Sequence, residues 1–350
     1  MKIMVVCEEG FSPRYTGGGE YINGIYKYIS YFDYLKIPKI SLPCIRGTYP
    51  LTRILKYIKV RKYLLKNLKN KDKYDIIHNN NVIPFPKMKT TALLVTTVHH
   101  TTFKRGFSSR ILNAMNDVMN YLSESTMVHN SDYLITSCET VKKQIVRHFS
   151  FPEEKIKVIP LGVDTELYYP RNLPEENFIL FPNALRYPSR KGAYFLLPVL
   201  KNLLDEYDLK CIITGNISPE GQKILNTLDN RFRYAGFVSK NGMAELYNKA
   251  IMVVFPSLYE GYGLVPLETI ACGGVVVSAD VGAVREYLKD GINGFILPLI
   301  REKWIEVMRE LIENPSLRER IRENNQKEKI RSWKDCAKDH LNFFKEIVGG

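Results

Sequence analysis

Short apolar runs alternate with stretches of helical periodicity along the whole chain. In the first half, apolar runs occupy residues 3–6, 74–78, 92–100, 132–138 and 155–161, and helical stretches separate several of them. A second series follows, with the runs FILFP, LKCIITG, RFRYAGF, IMVVFP, VVVSA and GFILP. Strands that alternate with helices are typical of parallel sheets whose faces are covered by helices. The pattern predicts an α/β protein with two doubly wound halves.

A polar segment separates the two series. Residues 168–176 contain two prolines and mixed charge, a composition typical of a linker. We therefore predict a first domain over residues 1–170 and a second over residues 171–330. Parallel sheets bind ligands beyond the carboxyl ends of their strands, so we expect the ligand site in a cleft between the domains.

The composition narrows the class of protein. Hydrophobic residues make up 45% of the 350 positions, which is sufficient for two cores. No apolar run approaches the roughly 20 residues of a membrane-spanning helix, and acidic residues follow the first run too early for a signal peptide. We expect a cytoplasmic protein, soluble or peripheral on the inner face of the cell membrane. The six cysteines form no Cys-x-x-Cys pair, which argues against a zinc site and a disulfide framework.

The formal net charge of +13 is unevenly distributed, and one basic segment covers residues 51–69. Its lysines and arginines are interspersed with apolar residues at helical spacing, which predicts a basic amphipathic helix. Two interpretations remain open: a domain helix with a solvated lysine face, or a helix bound to an anionic membrane surface. No nucleic-acid-binding motif accompanies the charge, so nucleic acid is not an expected partner. The apolar stripe is expected to comprise Leu51, Ile54, Leu55, Ile58, Leu65 and Leu68.

The segment FPSLYEGYGLVPLETIACGG is the most informative part of the chain. It places Glu260 and Glu268 eight residues apart. Between them, Gly261 and Gly263 permit a sharp turn, and a helix is predicted from Leu264 onward. The free N–H groups at a helix start suit a phosphate or diphosphate. A separation of up to roughly 12 Å of helical rise is wider than the carboxylate pair of a glycosidase, which disfavours hydrolysis by that pair.

A second glycine-rich segment follows the first predicted strand. Gly17, Gly18 and Gly19 precede an aromatic-rich stretch that predicts a helix from about Glu20. Such a loop lets main chain approach a phosphate or sugar closely, although a flexible connection between strand and helix is an equal interpretation.

Several segments together resemble glycosyltransferase family 4, the retaining nucleotide-sugar transferases with the GT-B fold. The resemblance is carried by GGGE, TVHH, KVIPLGVDTELYYP, ALRYPSRKG, IITGN, YAGFVSKNGMAELY and LYEGYGLVPLETIACGGVVVSADVGAVREYLKDGINGFILP. It implies two Rossmann-like doubly wound domains that face an interdomain cleft. The first domain takes the acceptor side and the second binds the donor. Residues 331–350 are similar to the closing helix of the family, which crosses back to the first domain.

The resemblance also implies roles for individual residues. Glu268 is expected to bind the ribose hydroxyls of the donor, and Glu260 the hydroxyls of the donor sugar, since ionised carboxylates only accept hydrogen bonds. Arg186 and Lys191 match the cations that contact the donor diphosphate. His99 matches a strand-end histidine beside the donor sugar. Gly17 and Gly18, with Gly19 in the same run, are expected near the diphosphate from the other domain.

For other positions the resemblance implies contacts of the main chain with the donor, or a second candidate for an assigned role. The loop around Val238 matches the segment that holds the base, and the N–H groups of Leu264 and Val265 are expected to face the phosphates. The chain departs from the family at Leu185, where glycine is common before the arginine. Arg190 is therefore a second candidate for the role of Arg186.

The implied reaction is transfer of a hexosyl unit from a UDP- or GDP-sugar to a glycan or lipid-linked acceptor of the cell surface. In this family, retention without a protein nucleophile is usually explained by front-face attack, in which the protein orients the reactants and stabilises charge. The sequence has no Asp-x-Asp motif, so neither a metal nor another cofactor is expected. Two alternatives remain: a nucleotide-sugar epimerase of the same fold, and a non-enzymatic membrane-binding protein on a degenerate transferase fold.

Overall fold

The structure is a computed structural model that describes residues 1–7, 17–30, 32–36, 49–68, 71–80, 86–87, 89–101 and 111–349. The chain divides into two compact units, Met1–Gly162 with Trp333–Gly350 and Val163–Ser332. The sequence placed the corresponding boundaries near residues 170 and 330. The terminal helix belongs to the first unit.

The first unit contains a parallel sheet covered by helices. The strands are β1 Ile3–Cys7, β2 Phe32–Lys36, β3 Ile76–Asn80, β4 Leu93–Val98, β5 Tyr133–Thr136 and β6 Ile156–Val158. Their order in the sheet is β2-β1-β3-β4-β5-β6, with Val5 of the interior strand β1 opposite Tyr34 and His78. The helices described here are α1 Gly17–Tyr26, α2 Tyr49–Asn67, α3 Ile111–His129, α4 Glu139–Phe149 and α12 Trp333–Gly349.

The second unit is built in the same way. The strands are β7 Glu176–Pro182, β8 Lys210–Thr214, β9 Phe232–Gly236, β10 Ala250–Phe255, β11 Val276–Ala279 and β12 Phe295–Leu297. Their order in the sheet is β12-β11-β10-β7-β8-β9, again all parallel, with Val253 opposite Leu180 and Val276. The helices are α5 Ala193–Glu206, α6 Pro219–Leu225, α7 Lys240–Lys249, α8 Leu264–Ala271, α9 Val284–Tyr287, α10 Arg301–Glu313 and α11 Pro315–Lys327.

The apolar runs became strands because helices bury both faces of each sheet. Every residue of β1 and of β10 is buried, as expected for central parallel strands. One core of the second unit joins β7, β8, β10 and β11 to α5 and α10, with Trp304 fully buried in it. The prediction of two doubly wound α/β halves is confirmed.

The glycine run lies differently from the expectation. The helix α1 begins at Gly17, so Gly17, Gly18 and Gly19 form its first turn instead of a loop before it. The first N–H groups of a helix have no intrahelical acceptor, so they can donate to another group or to a ligand.

The apolar stripe predicted over residues 51–69 is confirmed at Leu68 and wrong at Ile58 and Leu65. Val60, Leu64 and Leu68 are the buried positions, whereas Ile58 and Leu65 are 42% and 47% exposed. Buried residues at this spacing occupy one side of the helix, and the two exposed residues lie on the other side. The side chains of residues 51–57 are outside the described part. No helix in the described ranges is long and apolar enough to cross a bilayer.

The predicted linker, residues 168–176, packs within the second unit. Its Tyr168 is buried and lies 6.1 Å, ring to ring, from Tyr247. The main chain N–H of Arg171 donates to Asn248 Oδ1 at 2.7 Å. Glu175 accepts hydrogen bonds from Arg318. These contacts hold the segment against α7 and α11.

Candidate active site

Two loops of the second unit bring Lys191 and Glu260 together. Lys191 precedes α5, and Glu260 follows the buried strand β10. The distance from Lys191 Nζ to Glu260 Oε1 is 2.6 Å, and only 13% and 14% of the two side chains are exposed. The Lys191 ammonium also lies 5.4 Å from the centre of the Phe255 ring. The ion pair is thus held against the carboxyl end of a central strand.

The main chain fixes these two loops to each other. Gly192 has a φ of 73°, and a Cβ atom there would lie 2.0 Å from the carbonyl oxygen of Pro256. Only glycine fits this approach. The N–H of Leu258 donates to the carbonyl of Arg190 at 2.9 Å. The ion pair is therefore set by backbone contacts as well as by its own charge.

Two polar atoms in the same loops are buried without a hydrogen-bond partner in the described part of the chain. They are Arg190 Nε and Ser257 Oγ. A buried polar atom without a partner costs free energy, so such atoms mark places where a ligand or a water molecule completes the bonding.

The helix α8 begins at Leu264, as the sequence predicted. Gly263 precedes it with a φ of 97°, a conformation that glycine adopts without strain. The Tyr287 hydroxyl donates to the carbonyl of Gly263 at 2.5 Å and so holds the turn. The N–H groups of Leu264 and Val265 lie in the first turn, where a helix offers donors to an anion. Gly261 lies in the same turn, between Glu260 and Gly263.

Glu268 lies on α8 and is held by a tyrosine. The hydroxyl of the buried Tyr247, on α7, donates to Glu268 Oε2 at 3.0 Å. Burial, and then the nearby Glu268 charge, raise the pKa of Tyr247 well above its usual value. The hydroxyl therefore stays protonated and donates to the carboxylate.

Arg186 and Arg190 flank one aromatic ring. The guanidinium carbons lie 5.3 Å and 5.2 Å from the centre of the Tyr187 ring. Both distances are within the range of a cation–π contact. The sequence left open which arginine takes the role beside the donor, and the structure places both of them on Tyr187, between α5 and the end of β7.

The loop after β9 is open to solvent. Gly236 has a φ of 66° and nothing within 4 Å of an added Cβ atom. Phe237 is 65% exposed, and Val238 follows it. This is the segment that the sequence assigned to the base of the donor.

His99 lies in the first unit, directly after β4. Its Nε2 atom lies 2.7 Å from Asn80 Oδ1, and its ring contacts the Tyr21 ring edge to face at 4.8 Å. Burial, together with the neighbouring His100 and His340, lowers the pKa of His99 to about 3. The imidazole is therefore neutral at pH 7 and suited to hydrogen bonding without charge.

Sequence reasoning did not single out Tyr187, Tyr247, Tyr287 or Asn80. Tyr247, Tyr287 and Asn80 form hydrogen bonds with assigned residues that are distant along the chain. Tyr187 contacts two assigned arginines through its aromatic ring. Contacts of these kinds leave no characteristic residue spacing in the sequence. Among the described residues, no group of three His, Cys, Asp or Glu side chains is placed to hold a metal ion.

Two family models match the chain. The model described as Glycosyltransferase Family 4 matches residues 33–167, and the one described as Glycosyl transferases group 1 matches residues 168–328. The chain belongs to the family 4 type of GT-B glycosyltransferases. The resemblance stated from the sequence is confirmed.

Two relatives that match most of this chain are themselves named as glycosyltransferases. An uncharacterized glycosyltransferase of Methanocaldococcus jannaschii is 28% identical and covers 79% of this chain and 77% of its own length. A D-inositol 3-phosphate glycosyltransferase of Actinosynnema mirum is 25% identical over 72% of this chain and 67% of its own.

Solved structures share the GT-B fold of this glycosyltransferase. Sucrose-phosphate synthase from Thermosynechococcus elongatus has a TM-score of 0.79 at 17% identity, with 99% of each chain covered. Anabaena HepE, solved in complex with UDP and glucose, has a TM-score of 0.74 at 16% identity, again with 99% of each chain covered. The GT-B prediction is confirmed.

Proposed function

We propose that this glycosyltransferase moves a hexosyl unit from a UDP- or GDP-sugar to a glycan or lipid-linked acceptor, with retention at the anomeric carbon and without a metal ion. The observation that carries the proposal is the mostly buried Lys191–Glu260 ion pair, whose Glu260 lies four residues before the start of α8. It combines a cation for phosphate with a carboxylate for hydroxyls, at the carboxyl end of a parallel strand.

The cations of the second unit take the diphosphate. The Lys191 ammonium would bind a phosphate oxygen and share its charge between that oxygen and Glu260. Arg186 and Arg190 are presented on Tyr187 as further donors. The first N–H groups of α8 add neutral donors. The unpartnered Arg190 Nε and Ser257 Oγ fit a ligand that accepts and donates hydrogen bonds.

The carboxylates take the hydroxyls of the donor. Glu260 would accept from the hexose and Glu268 from the ribose, and Tyr247 holds Glu268 in place for this contact. Phe237, exposed beside Val238, offers an apolar face next to the segment assigned to the base. His99 would contact the sugar as a neutral imidazole.

The reaction needs no protein nucleophile. The acceptor oxygen forms a bond to the anomeric carbon on the face from which the phosphate leaves, and the bond from that carbon to the phosphate oxygen breaks. The proton of the acceptor hydroxyl passes to the leaving phosphate oxygen. Lys191 and the arginines stabilise the negative charge that develops there, which is the largest contribution the protein makes.

The ligands bound in similar proteins support a nucleotide-sugar donor. HepE has been solved with UDP and with UDP-glucose. WaaG, a glycosyltransferase involved in lipopolysaccharide biosynthesis, has a TM-score of 0.75 to this chain. These likenesses favour a donor with a nucleotide diphosphate and an acceptor in cell-surface polysaccharide or glycolipid biosynthesis.

The test is turnover of purified enzyme with UDP-, GDP- and ADP-hexoses, measured as release of the free nucleoside diphosphate, with EDTA or with Mg²⁺. We expect release with one nucleotide series, equal in EDTA and Mg²⁺, and faster when a glycan or lipid-linked acceptor is added. Conversion of the donor sugar without acceptor would favour the epimerase. No binding and no turnover with any donor would favour the degenerate fold.

We also propose that α2 contacts an anionic membrane surface. Ile58 and Leu65 are exposed on the same side of the helix as Lys62 and Lys66, which combines apolar insertion with positive charge. The neighbouring α3 exposes Val118 and Leu122. This is the composition of a surface-bound amphipathic helix.

Pelleting with vesicles tests this contact. Replacement of Lys59, Lys62 and Lys66 by Glu should abolish pelleting with vesicles that contain anionic lipid. Replacement of the exposed Lys201, Lys223 and Lys303 by Glu changes the net charge equally and should preserve it. Equal pelleting of the two variants would favour the solvated domain helix.

A further inference from the structure

A chain of buried hydrogen bonds connects α1, β3, β4 and α12 in the first unit. Its members have at most 4% of their surface exposed. The hydrogen-bond distances between successive members are 2.6 or 2.7 Å. We call this set the tyrosine–histidine chain: Tyr26, His78, Thr97, Tyr21, His340 and the carbonyl of Cys336.

The donor and the acceptor of each hydrogen bond can be assigned in turn, starting from the Cys336 end of the tyrosine–histidine chain. The carbonyl of Cys336 only accepts, so His340 Nδ1 carries the proton and donates to it. In a neutral His340 imidazole, Nε2 is then the acceptor, and the Tyr21 hydroxyl donates to it. The Tyr21 oxygen in turn accepts from the hydroxyl of Thr97.

The remaining bonds follow in the same way. The Thr97 oxygen accepts from His78 Nε2, because its own proton is donated to Tyr21. His78 Nδ1 is then the acceptor of the Tyr26 hydroxyl. Burial lowers the pKa of His78 and raises the pKa values of Tyr21 and Tyr26, so these three groups keep the protons that this direction requires.

His99 lies beside this chain and has its own tautomer fixed. Asn80 Oδ1 only accepts, so His99 Nε2 carries the proton. His99 Nδ1 is then left with a lone pair. The ring of Tyr21, whose hydroxyl is held from two sides, packs edge to face on the His99 ring at an interplanar angle of 82°.

We propose that Asn80 and Tyr21 are positioning residues that present His99 Nδ1 as a fixed acceptor for a hydroxyl of the donor sugar, and that His340 on the terminal helix holds Tyr21 in place. The inference rests on the proposed function for the identity of the ligand. The positioning itself rests on the hydrogen bonds of the first unit. A neutral acceptor of fixed orientation selects a hydroxyl and gains nothing from a phosphate.

The tautomers are measured directly by long-range ¹H–¹⁵N NMR of the full chain labelled in its six histidines. Signals are assigned with single variants, including His129→Gln for an exposed histidine. At pH 7 we expect His99 and His78 as Nε2–H tautomers and His340 as the Nδ1–H tautomer. We expect Asn80→Ala to give His99 a mixture of the two forms. An Nδ1–H form of His99 in the wild type would overturn the inference whatever sugar the enzyme transfers.

Steady-state kinetics test whether the donor binds to this tautomer of His99. Asn80→Ala should lower kcat/KM for the donor about tenfold, the effect of losing one well-oriented hydrogen bond. His129→Gln should leave it unchanged. Tyr21→Phe keeps the ring but removes the link to His340, and a smaller loss is expected.

The outcomes separate the two proposals. Expected tautomers with unchanged kcat/KM in Asn80→Ala would overturn the role of His99 Nδ1 in sugar binding. A wild-type enzyme that neither binds nor turns over any nucleotide sugar would overturn the proposed function instead.

Discussion

The site residues of the two units are held by different kinds of interaction. In the second unit, the Lys191–Glu260 ion pair places opposite charges 2.6 Å apart, and Arg186 and Arg190 add positive charge. In the first unit, His99 is neutral and is oriented by Asn80 and the Tyr21 ring.

Under the proposed function, the two kinds of interaction would suit two parts of one substrate. Phosphate groups carry charge and gain most from cations in a site partly shielded from water. Sugar hydroxyls are neutral and are selected by the direction of hydrogen bonds. A chain that binds both parts benefits from keeping the two kinds of groups apart, because a nearby cation would alter the protonation of a histidine.

The largest loss of activity is expected from a substitution in the charged region of the second unit. Lys191→Ala removes the cation proposed to stabilise the leaving diphosphate and leaves Glu260 without this partner in a mostly buried position. We expect kcat to fall on the order of 10²-fold. Lys303→Ala, which breaks the exposed pair with Glu306, is the control and should retain full activity. Loss of activity below twofold in Lys191→Ala would contradict the site.

In the neutral region around His99, the free energy of unfolding should depend on pH. The folded pKa of His99 is about 3, against 6.5 in an unfolded chain. Above pH 6.5 neither state binds this proton. Below it the unfolded state does, so stability is lost as the pH falls from 6.5 towards 3. Between pH 7 and pH 5 this histidine should account for up to about 2 kcal/mol of the loss in the free energy of unfolding.

Urea denaturation at the two pH values measures this loss. The His99→Gln variant should lose less stability than the wild type on acidification, while His129→Gln should match the wild type. His78, whose pKa burial also lowers, adds to the same trend. An equal pH dependence in the wild type and His99→Gln would show that this imidazole is not held neutral.

Variants of Glu268 and Tyr247 test the second unit further through their affinity for the donor. Glu268→Ala should weaken donor binding about tenfold, because a charged acceptor of ribose hydroxyls is lost. Tyr247→Phe removes only the hydrogen bond that orients Glu268 and should weaken binding about threefold. Competition with the free nucleotide measures both, and Glu306→Ala is the control. A larger effect of Tyr247→Phe than of Glu268→Ala would contradict the ribose contact.

An effect as small as that of Tyr247→Phe is expected at Tyr187. Tyr187→Leu removes the ring shared by Arg186 and Arg190 but retains both cations. Two exposed cation–π contacts support a change of about threefold in the donor KM. Tyr194→Phe, which removes an exposed hydroxyl that donates to Glu220, is the control. An unchanged KM in Tyr187→Leu would show that groups other than the Tyr187 ring position the two arginines.

Most of the fold was predictable because the apolar runs bury both faces of their strands. The runs named in each half became strands, and α8 begins at the predicted Leu264. The edge strand β2 was not predicted. Its sequence FDYLK contains charged residues and is mostly exposed, so it has no continuous apolar run.

Other features depended on tertiary contacts that a single sequence does not show. The buried stripe of α2 follows Val60 and Leu64 instead of Ile58 and Leu65, and both choices satisfy helical spacing. Tyr21 and His340 are 319 residues apart along the chain. Tyrosine hydroxyls such as those of Tyr247 and Tyr287 carry no pattern that assigns their partners. The site residues themselves came from the motif, and their assigned roles remain predictions.

The most direct test of the account is the thermal stability of the wild type and Glu268→Ala with UDP-, GDP- and ADP-sugars and with the free nucleotides. A ligand present at 100 times its dissociation constant adds about 2.7 kcal/mol to stability, which is readily measured. We predict that one nucleotide series stabilises the wild type with or without Mg²⁺ and that Glu268→Ala loses most of this gain. Equal stabilisation of the two proteins, or none with any nucleotide, would contradict the assignment of this site to a nucleotide-sugar donor.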